Sequence, residues 1–471
     1  MAADLAPRLA AITGDAWVTT AAAARREHGR DALQRGHPAD VVVTPATTAE
    51  VAAIARLCHD TRTPLVVRGA GTGYTGGAVP IRGGVVLSMA RFTRILAIDA
   101  DNLLAVVEPN VVTRTLHEAV ESRGLFYPPD PASLAQCAIG GNVAECAGGP
   151  RAFKYGTTRR YVLALEAVLP TGEILRTGSK SVKNVAGYAL TDLLVGSEGT
   201  LAVLTEITVR LVPLPPHRRA LSATYPTVDG AARAVGALVA AGVVPAALEL
   251  IDGPSLDAVA AHLGRPMAPS GTAALLIVEL DGHAAAVEEE ARLAAGACRH
   301  AGATALREAA SAGEREALWE ARRELSYALR RVAPRKINHD VVVPRGRVPA
   351  LFALADTVRR RHRLRVACFG HAGDGNIHVN LLVDPADAAE LARAATAEHE
   401  LFAGVVALDG SISGEHGIGF AKAAHLGLQL SPAEIALMAR VKHAFDPHGV
   451  LNPGKMWETT AADLAGLEES G

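Results

Sequence analysis

The sequence predicts an α+β protein of more than one domain, and three observations carry that reading. Its 471 residues exceed what one ordinary hydrophobic core organises. From about residue 38, short β-branched runs alternate with glycine-rich turns, whereas beyond about residue 220 strand-like runs alternate with long Ala/Arg/Glu stretches of helical period. Between the two textures stands "VPLPPHRRA" (212–220), whose prolines mark a boundary.

In chain order, residues 1 to about 36 read as an Ala-rich helix and a polar linker. "ADVVVTPATTAEVAAIARLCHD" gives a β-branched strand and then a helix, with Thr48 as expected N-cap and Glu50 in its first turn. "TPLVVRGAGTGYTGGAVP" is a strand entering a glycine loop. Short strands follow in "GGVVLSM", "RILAIDADNLLAVVEPN", "YVLALEAVLPTGEILRTG" and "GTLAVLTEITVRLVPLP", with few helices expected between them. Past the boundary, "AALLIVEL", "RVACFG" and "NIHVNLLV" read as strands of an antiparallel sheet, and about 283–299, 313–331 and 385–404 as helices. The stretch 408–456 reads as mostly helical, and the last residues as a frayed tail.

Composition excludes several classes. Hydrophobic residues make up 49% and charged residues 20%, as in a globular protein, and 47 Lys+Arg nearly balance 49 Asp+Glu. That balance leaves no nucleic-acid footprint and no polybasic anchor. Cys58, Cys137, Cys146, Cys298 and Cys368 form no CxxC pair, which argues against a disulfide framework, a zinc ribbon or an iron–sulfur module. The N-terminal stretch lacks a signal-peptide core, and no run approaches the ~18 apolar residues of a membrane span. The expected location is cytoplasmic, or peripheral to the inner membrane.

"GTGYTG" (Gly71 to Gly76) matches the dinucleotide pattern G-x-G-x-x-G, which must open a helix to work. "GAVPIRGGVVLSM" follows instead, with a proline, a glycine pair and a strand, so a Rossmann site is rejected. Yet five of the nine residues from Gly69 to Gly77 are glycine, a costly choice for a mere turn. Bare N–H groups crowding a phosphate explain it better. A second small-residue run, with Gly140, Gly141, Ala147, Gly148 and Gly149, lets backbone press against something large and flat.

Histidines supply the other signal. In "NIHVNLLV", alternation puts His378 and Asn380 on one face, opposite Ile377 and Val379. Two polar side chains sharing a direction in an apolar strand require a partner. His371 lies across the "AGDG" turn and can fold back toward His378, while Glu415 in "SGEHGIG" offers a hard oxygen. Two imidazoles and a carboxylate suit zinc or another divalent first-row ion with open positions left for substrate. A lone strand histidine is ordinarily structural, and His362, His425, His443 and His448 are read that way.

The motifs "VVRGAGTGYTGG", "PPDPAS…IGGNVAECAGGPRAFKYG", "GYALTDLLVGSEGTLAVLTE", "GHAGDGNIHVN", "SGEHGIG" and "LNPGKMW" stand in the order found in FAD-linked oxidases. The chain resembles the vanillyl-alcohol oxidase/PCMH superfamily over roughly residues 38 to 456. Within it, the group is that of D-lactate dehydrogenase, the glycolate oxidase flavoprotein subunit and D-2-hydroxyglutarate dehydrogenase. The resemblance implies a PCMH-type FAD-binding domain (38–214, two α+β subdomains) after an N-terminal helical segment (1–37). A cap domain with an antiparallel sheet (215–407), a helical segment returning to the flavin (408–457) and a flexible tail (458–471) complete it.

The same resemblance assigns FAD contacts to Arg68, Gly69, Ala70, Gly71, Thr72, Gly73, Thr75, Gly76 and Gly77 at the pyrophosphate. It adds Pro129, Asp130, Ser133, Gly140, Gly141, Asn142, Gly148, Tyr155 and Gly156 along the rest of the cofactor. Glu198, Gly199, Val203 and Asn452 close the adenine side. The first loop has Tyr74 and no histidine, so non-covalent FAD is expected, with Cys137 and Cys146 as small fillers. The metal ligands implied are His371, His378 and Glu415, with His416 as base. Arg322, Ser326, Lys336 and Asn380 are implied at the substrate. Lys336 departs in spacing, standing four residues before Asp340 where relatives have two, and His339 replaces an acidic residue.

The activity implied is oxidation of a D-2-hydroxy acid, D-lactate first, with glycolate or D-2-hydroxyglutarate as alternatives. Rivals from other classes are a metal-dependent hydrolase and a non-catalytic flavin-binding subunit. Without an iron–sulfur cysteine set, electrons must leave to a quinone, a cytochrome, an electron-transfer flavoprotein or a partner subunit. A homodimer or a multi-subunit oxidase is the expected assembly.

Overall fold

The computed structural model describes residues 2–309 and 311–469. It divides into two compact units. One is built from Met1–Gly148, Thr157–Leu214 and Glu415–Gly471, the other from Gly149–Gly156 and Pro215–Gly414.

In the first unit, a four-stranded sheet runs Val18–Thr19, Val41–Val43, Val85–Ser88, Leu65–Arg68. Its last three strands are parallel, and their continuous β-branched sequences suit burial on both faces. The helices Ala2–Thr13 and Thr48–Thr61 cover it, enclosing Leu9, Val43, Ile54, Leu65, Val85 and Leu87. A second, antiparallel sheet of five strands follows, ordered Ile174–Gly178, Val162–Val168, Val203–Arg210, Leu104–Val107, Ile95–Asp99.

The second unit is one antiparallel sheet of seven strands. Its order is Ala305–Ala309, His217–Tyr225, Ala274–Gly282, Ala247–Asp252, Arg365–His371, Asn376–Val383, Arg335–Val342. The helices Gly253–Leu263 and Ala312–Val332 pack Val259, Ala321, Leu325 and Leu329 onto Ile251, Ile277, Phe369 and Leu382. The α+β class with an antiparallel sheet is therefore what the chain adopts.

Local readings differ in four places. The cap of the Thr48–Thr61 helix is Thr47, whose hydroxyl accepts from the Glu50 N–H; adjacent threonines made the register ambiguous. The region read as poor in helix holds Thr113–Glu121 and Ile139–Glu145. The second is the small-residue run itself, in which Gly140 lies against Pro109 where a Cβ would not fit. Residues 408–422 are not helical: after Ala407 the chain is irregular until short turns near 423, and the helix resumes at Pro432–Phe445. Glycines at 410, 414, 417 and 419 explain the break. The stretch read as a frayed tail carries a helix, Ala461–Ala465, closed by a Thr460–Asp463 capping box. Residues 470 and 471 lie outside the described residues.

Candidate active site

In the second unit the central strands bring the polar residues together. Glu249 lies directly opposite His371, and His378 opposite both Phe369 and Asp340. Directly opposed residues share a face of the sheet. Glu249, His371, His378 and Asn380 therefore stand on the face that also carries Phe369 and Lys336. All but Lys336 are buried. The rings of His371 and His378 meet edge to face at 5.5 Å, so the fold-back across the "AGDG" turn is real. Its tightness depends on Gly375 (φ +86), where a Cβ would collide with the Val343 carbonyl.

The helix Ala312–Val332 delivers the cations. Ser311 and Glu314 form a capping box at its start. Trp319 ties it to the sheet by donating to Glu279 at 2.9 Å. One face is packed on the core, so Arg322 is half-buried and its Nε donates to Glu249 Oε2 at 2.5 Å. Its guanidinium lies over the Phe369 ring, 4.8 Å from the centroid. The other Glu249 oxygen, Oε1, is 2.5 Å from His371 Nδ1. Burial pushes the Glu249 carboxyl up, but its bonds with His371 and Arg322 outweigh that and hold it down at about 2. One turn beyond Arg322, Ser326 Oγ accepts from Lys336 Nζ at 3.0 Å. Burial, reinforced by Arg330 and Arg322, lowers the Lys336 ammonium to about 8. Arg322, Ser326 and Lys336 thus converge despite the unusual spacing of the lysine.

Asn380 is committed differently from its reading as a substrate contact. Its amide nitrogen donates to the carbonyls of Ala367 and His378, bracing the sheet. Its Oδ1 is buried without a protein partner, the one atom of the side chain left for a ligand. Tyr155, assigned to the flavin, donates its hydroxyl to Asp281 Oδ2 at 2.7 Å; Gly156 follows it with φ +85. Asp340 pins the turn that ends this unit, accepting from Asn376 Nδ2 at 2.6 Å and from the Gly414 N–H at 3.0 Å. His339 faces Glu398 and Phe402 and is structural.

In the first unit, no helix follows the glycine loop, as the rejection of a Rossmann site required. Gly71 and Gly76 take φ +70 and +82. A Cβ at Gly76 would strike the Phe420 ring, so the loop 69–77 and the returning segment 415–420 fit only through glycine. Thr75 Oγ1 donates to the His416 carbonyl at 3.1 Å, its own carbonyl accepts from Phe420 and Ala421, and Tyr74 stacks on the His416 ring at 5.3 Å. Glu415 lies against Gly148, its Oε2 2.7 Å from where a Cβ would sit. Glu198 (φ +53) accepts from the N–H groups of Ile418 and Gly419, and Gly199 follows at φ +65.

Several flavin assignments are turned inward. The Arg68 guanidinium folds over Gly71 to the Arg30 carbonyl. Asn142 donates to Thr113, Val203 is buried in the core, and the Pro129 carbonyl is bonded to His117. Asn452 donates to the carbonyls of Gly77 and Glu198. These groups are thus engaged within the protein itself. Gly141, by contrast, has nothing within 4 Å of a Cβ position, and at Gly69 and Gly73 a Cβ would meet only ordinary contacts at 3.8 Å.

Residues 214–456 match the C-terminal domain of FAD linked oxidases, and residues 39–178 the FAD binding domain. The chain belongs to the FAD-linked oxidase family. It is 40% identical over 424 residues to the glycolate oxidase subunit GlcD of Bacillus subtilis, covering 90% of each chain. It is 35% identical to a D-lactate dehydrogenase of Anaerostipes hadrus, covering 88% of this chain and 89% of that one. The fold of p-cresol methylhydroxylase superposes with a TM-score of 0.82 at 18% identity, over 96% of both chains, placing the fold in the PCMH type. The protein is thus an FAD-linked oxidoreductase. Among the described residues no helix is long and apolar enough to cross a membrane.

Sequence reasoning missed Glu249. The signal was there: a carboxylate flanked on both sides by apolar residues in the strand run "AALELI" is a buried charge in need of partners. It also missed Glu145, whose carboxyl approaches Gly77 and Gly417. Burial first, then Glu198 and Asp31, raise its pKa well above the usual range.

Proposed function

We propose that this FAD-linked oxidoreductase oxidises a small D-2-hydroxy acid to the 2-oxo acid, with D-lactate as first substrate and glycolate as second. The observation that carries the reading is the convergence of Arg322, Ser326 and Lys336 beside His371 and His378. Two cations and a hydroxyl suit a carboxylate, and imidazoles next to it address the neighbouring carbon. The names of the relatives, a glycolate oxidase subunit and a D-lactate dehydrogenase, agree with a substrate of this size.

Arg322 spends its Nε on Glu249, which leaves its terminal nitrogens to hold the substrate carboxylate, with Lys336 beside them. The chain suits a divalent cation. His371 and His378 present rings 5.5 Å apart, the buried Asn380 Oδ1 lacks a protein partner, and Glu415 follows directly on Gly414, which Asp340 anchors. Zinc or a similar ion on His371, His378 and Glu415 would lower the pKa of the substrate hydroxyl and fix its orientation. The glycine loops would hold FAD non-covalently, and the cofactor would supply the hydride acceptor. His416 takes the hydroxyl proton; its ring is oriented by the stack on Tyr74 and its backbone by Thr75.

Electrons then leave to a quinone, a cytochrome, an electron-transfer flavoprotein or a partner subunit. A panel of 2-hydroxy acids with an artificial dye acceptor tests the reading. Turnover with D-lactate or glycolate supports it; activity only on substrates lacking a 2-hydroxy acid removes it.

A further inference from the structure

Among the described residues, Glu249 is a fully buried carboxylate that bonds to both His371 and Arg322 of the proposed substrate site. Each of its oxygens has a single, short partner: Oε1 with His371 Nδ1 and Oε2 with Arg322 Nε, both at 2.5 Å. It is fully buried, and His371 and the Arg322 side chain are largely so, so water does not substitute for either bond. Its backbone lies opposite His371 in the sheet, and the Arg322 guanidinium also lies over the Phe369 ring. The carboxylate cannot turn toward one partner without leaving the other.

We propose that Glu249 is a positioning residue that orients a metal-ligating histidine and a carboxylate-binding arginine together. This rests on the reading above for the roles of His371 and Arg322. As acceptor, Glu249 fixes the proton of His371 on Nδ1, so Nε2 keeps its lone pair for an ion. By holding Arg322 through Nε, it fixes the plane of the guanidinium and hence the direction of the terminal N–H groups. One side chain therefore sets the spacing between ion and substrate carboxylate.

The test is Glu249→Gln in the FAD-loaded full chain, with Glu249→Asp beside it. An amide of the same shape cannot accept from both partners. Zinc titrated into chelator-stripped protein should bind 10–100-fold more weakly in E249Q, the range found when such an outer partner is lost. KM for the hydroxy acid should rise at least several-fold. E249D keeps the charge but is shorter, and should recover part of one readout without restoring both. Wild-type zinc affinity and wild-type KM in E249Q would overturn the assignment. If E249Q fails to retain FAD, the same two readouts on E249D decide, wild-type values in both overturning it. A wild-type protein that binds no divalent ion defeats the metal reading instead. The KM arm then tests the tie to Arg322 alone, an unchanged KM overturning it.

Discussion

Arg322 shows how one residue serves structure and chemistry at once. It neutralises the buried Glu249 and directs its terminal nitrogens elsewhere. Arg322→Met should therefore lower kcat/KM by roughly 10²-fold or more, a few kcal/mol for a charge-assisted pair, with the flavin spectrum unchanged. Steady-state kinetics checks this; wild-type kcat/KM would return Arg322 to a purely structural role. Lys336 gives the pH dependence. Burial and two arginines lower its pKa to about 8, so it is charged below that pH and neutral above. A cation lost as pH rises weakens carboxylate binding, so kcat/KM should fall above about pH 8, chiefly through KM. Lys336→Met should abolish that alkaline limb, and a limb that persists would deny Lys336 the role. His416→Ala should keep FAD and cut flavin reduction by roughly 10²–10⁴, the usual range for a lost general base. Stopped-flow reduction at several pH values reads it, since the acidic limb should vanish too.

At the scale of elements, the sequence was most informative where periodicity was long. Helices read at 283–299, 313–331 and 385–404 exist at Ala284–His300, Ala312–Val332 and Ala388–Ala407. The alternation in "NIHVNLLV" put His378 and Asn380 on one face, as the register requires. What stayed illegible depends on contacts far apart in the chain. No local pattern says that Glu249, more than 70 residues before Arg322, will meet it, nor that the Asn380 amide will brace a neighbouring strand. The glycine loop was legible as something other than a Rossmann turn, but not that Gly76 makes room for Phe420. Gly76→Ala should cost more than the ~1–2 kcal/mol of a left-handed Cβ, because a ring must also move. A lowered Tm with weakened FAD retention is expected; unchanged values for both would contradict the tight fit. The short strand-like texture hid the Ile139–Glu145 helix because a seven-residue helix with two glycines has almost no period to read.

The whole molecule divides its labour between two compact units: glycine loops in the one, the sheet with Glu249, His371, His378 and Arg322 in the other. Removal of a divalent ion by a chelator should accordingly stop turnover while FAD stays bound, and added zinc should restore it. Elemental analysis finding under about a tenth of an equivalent of any divalent ion in active protein would contradict the metal assignment. The central claim is narrower still: that this flavoprotein oxidises 2-hydroxy acids. Anaerobic mixing of the purified protein with D-lactate, glycolate or propionate, followed in the flavin's visible band, tests it most directly. The band should bleach with D-lactate or glycolate and persist with propionate, which has the carboxylate but no hydroxyl. A flavin that dithionite bleaches and no 2-hydroxy acid does would contradict the account.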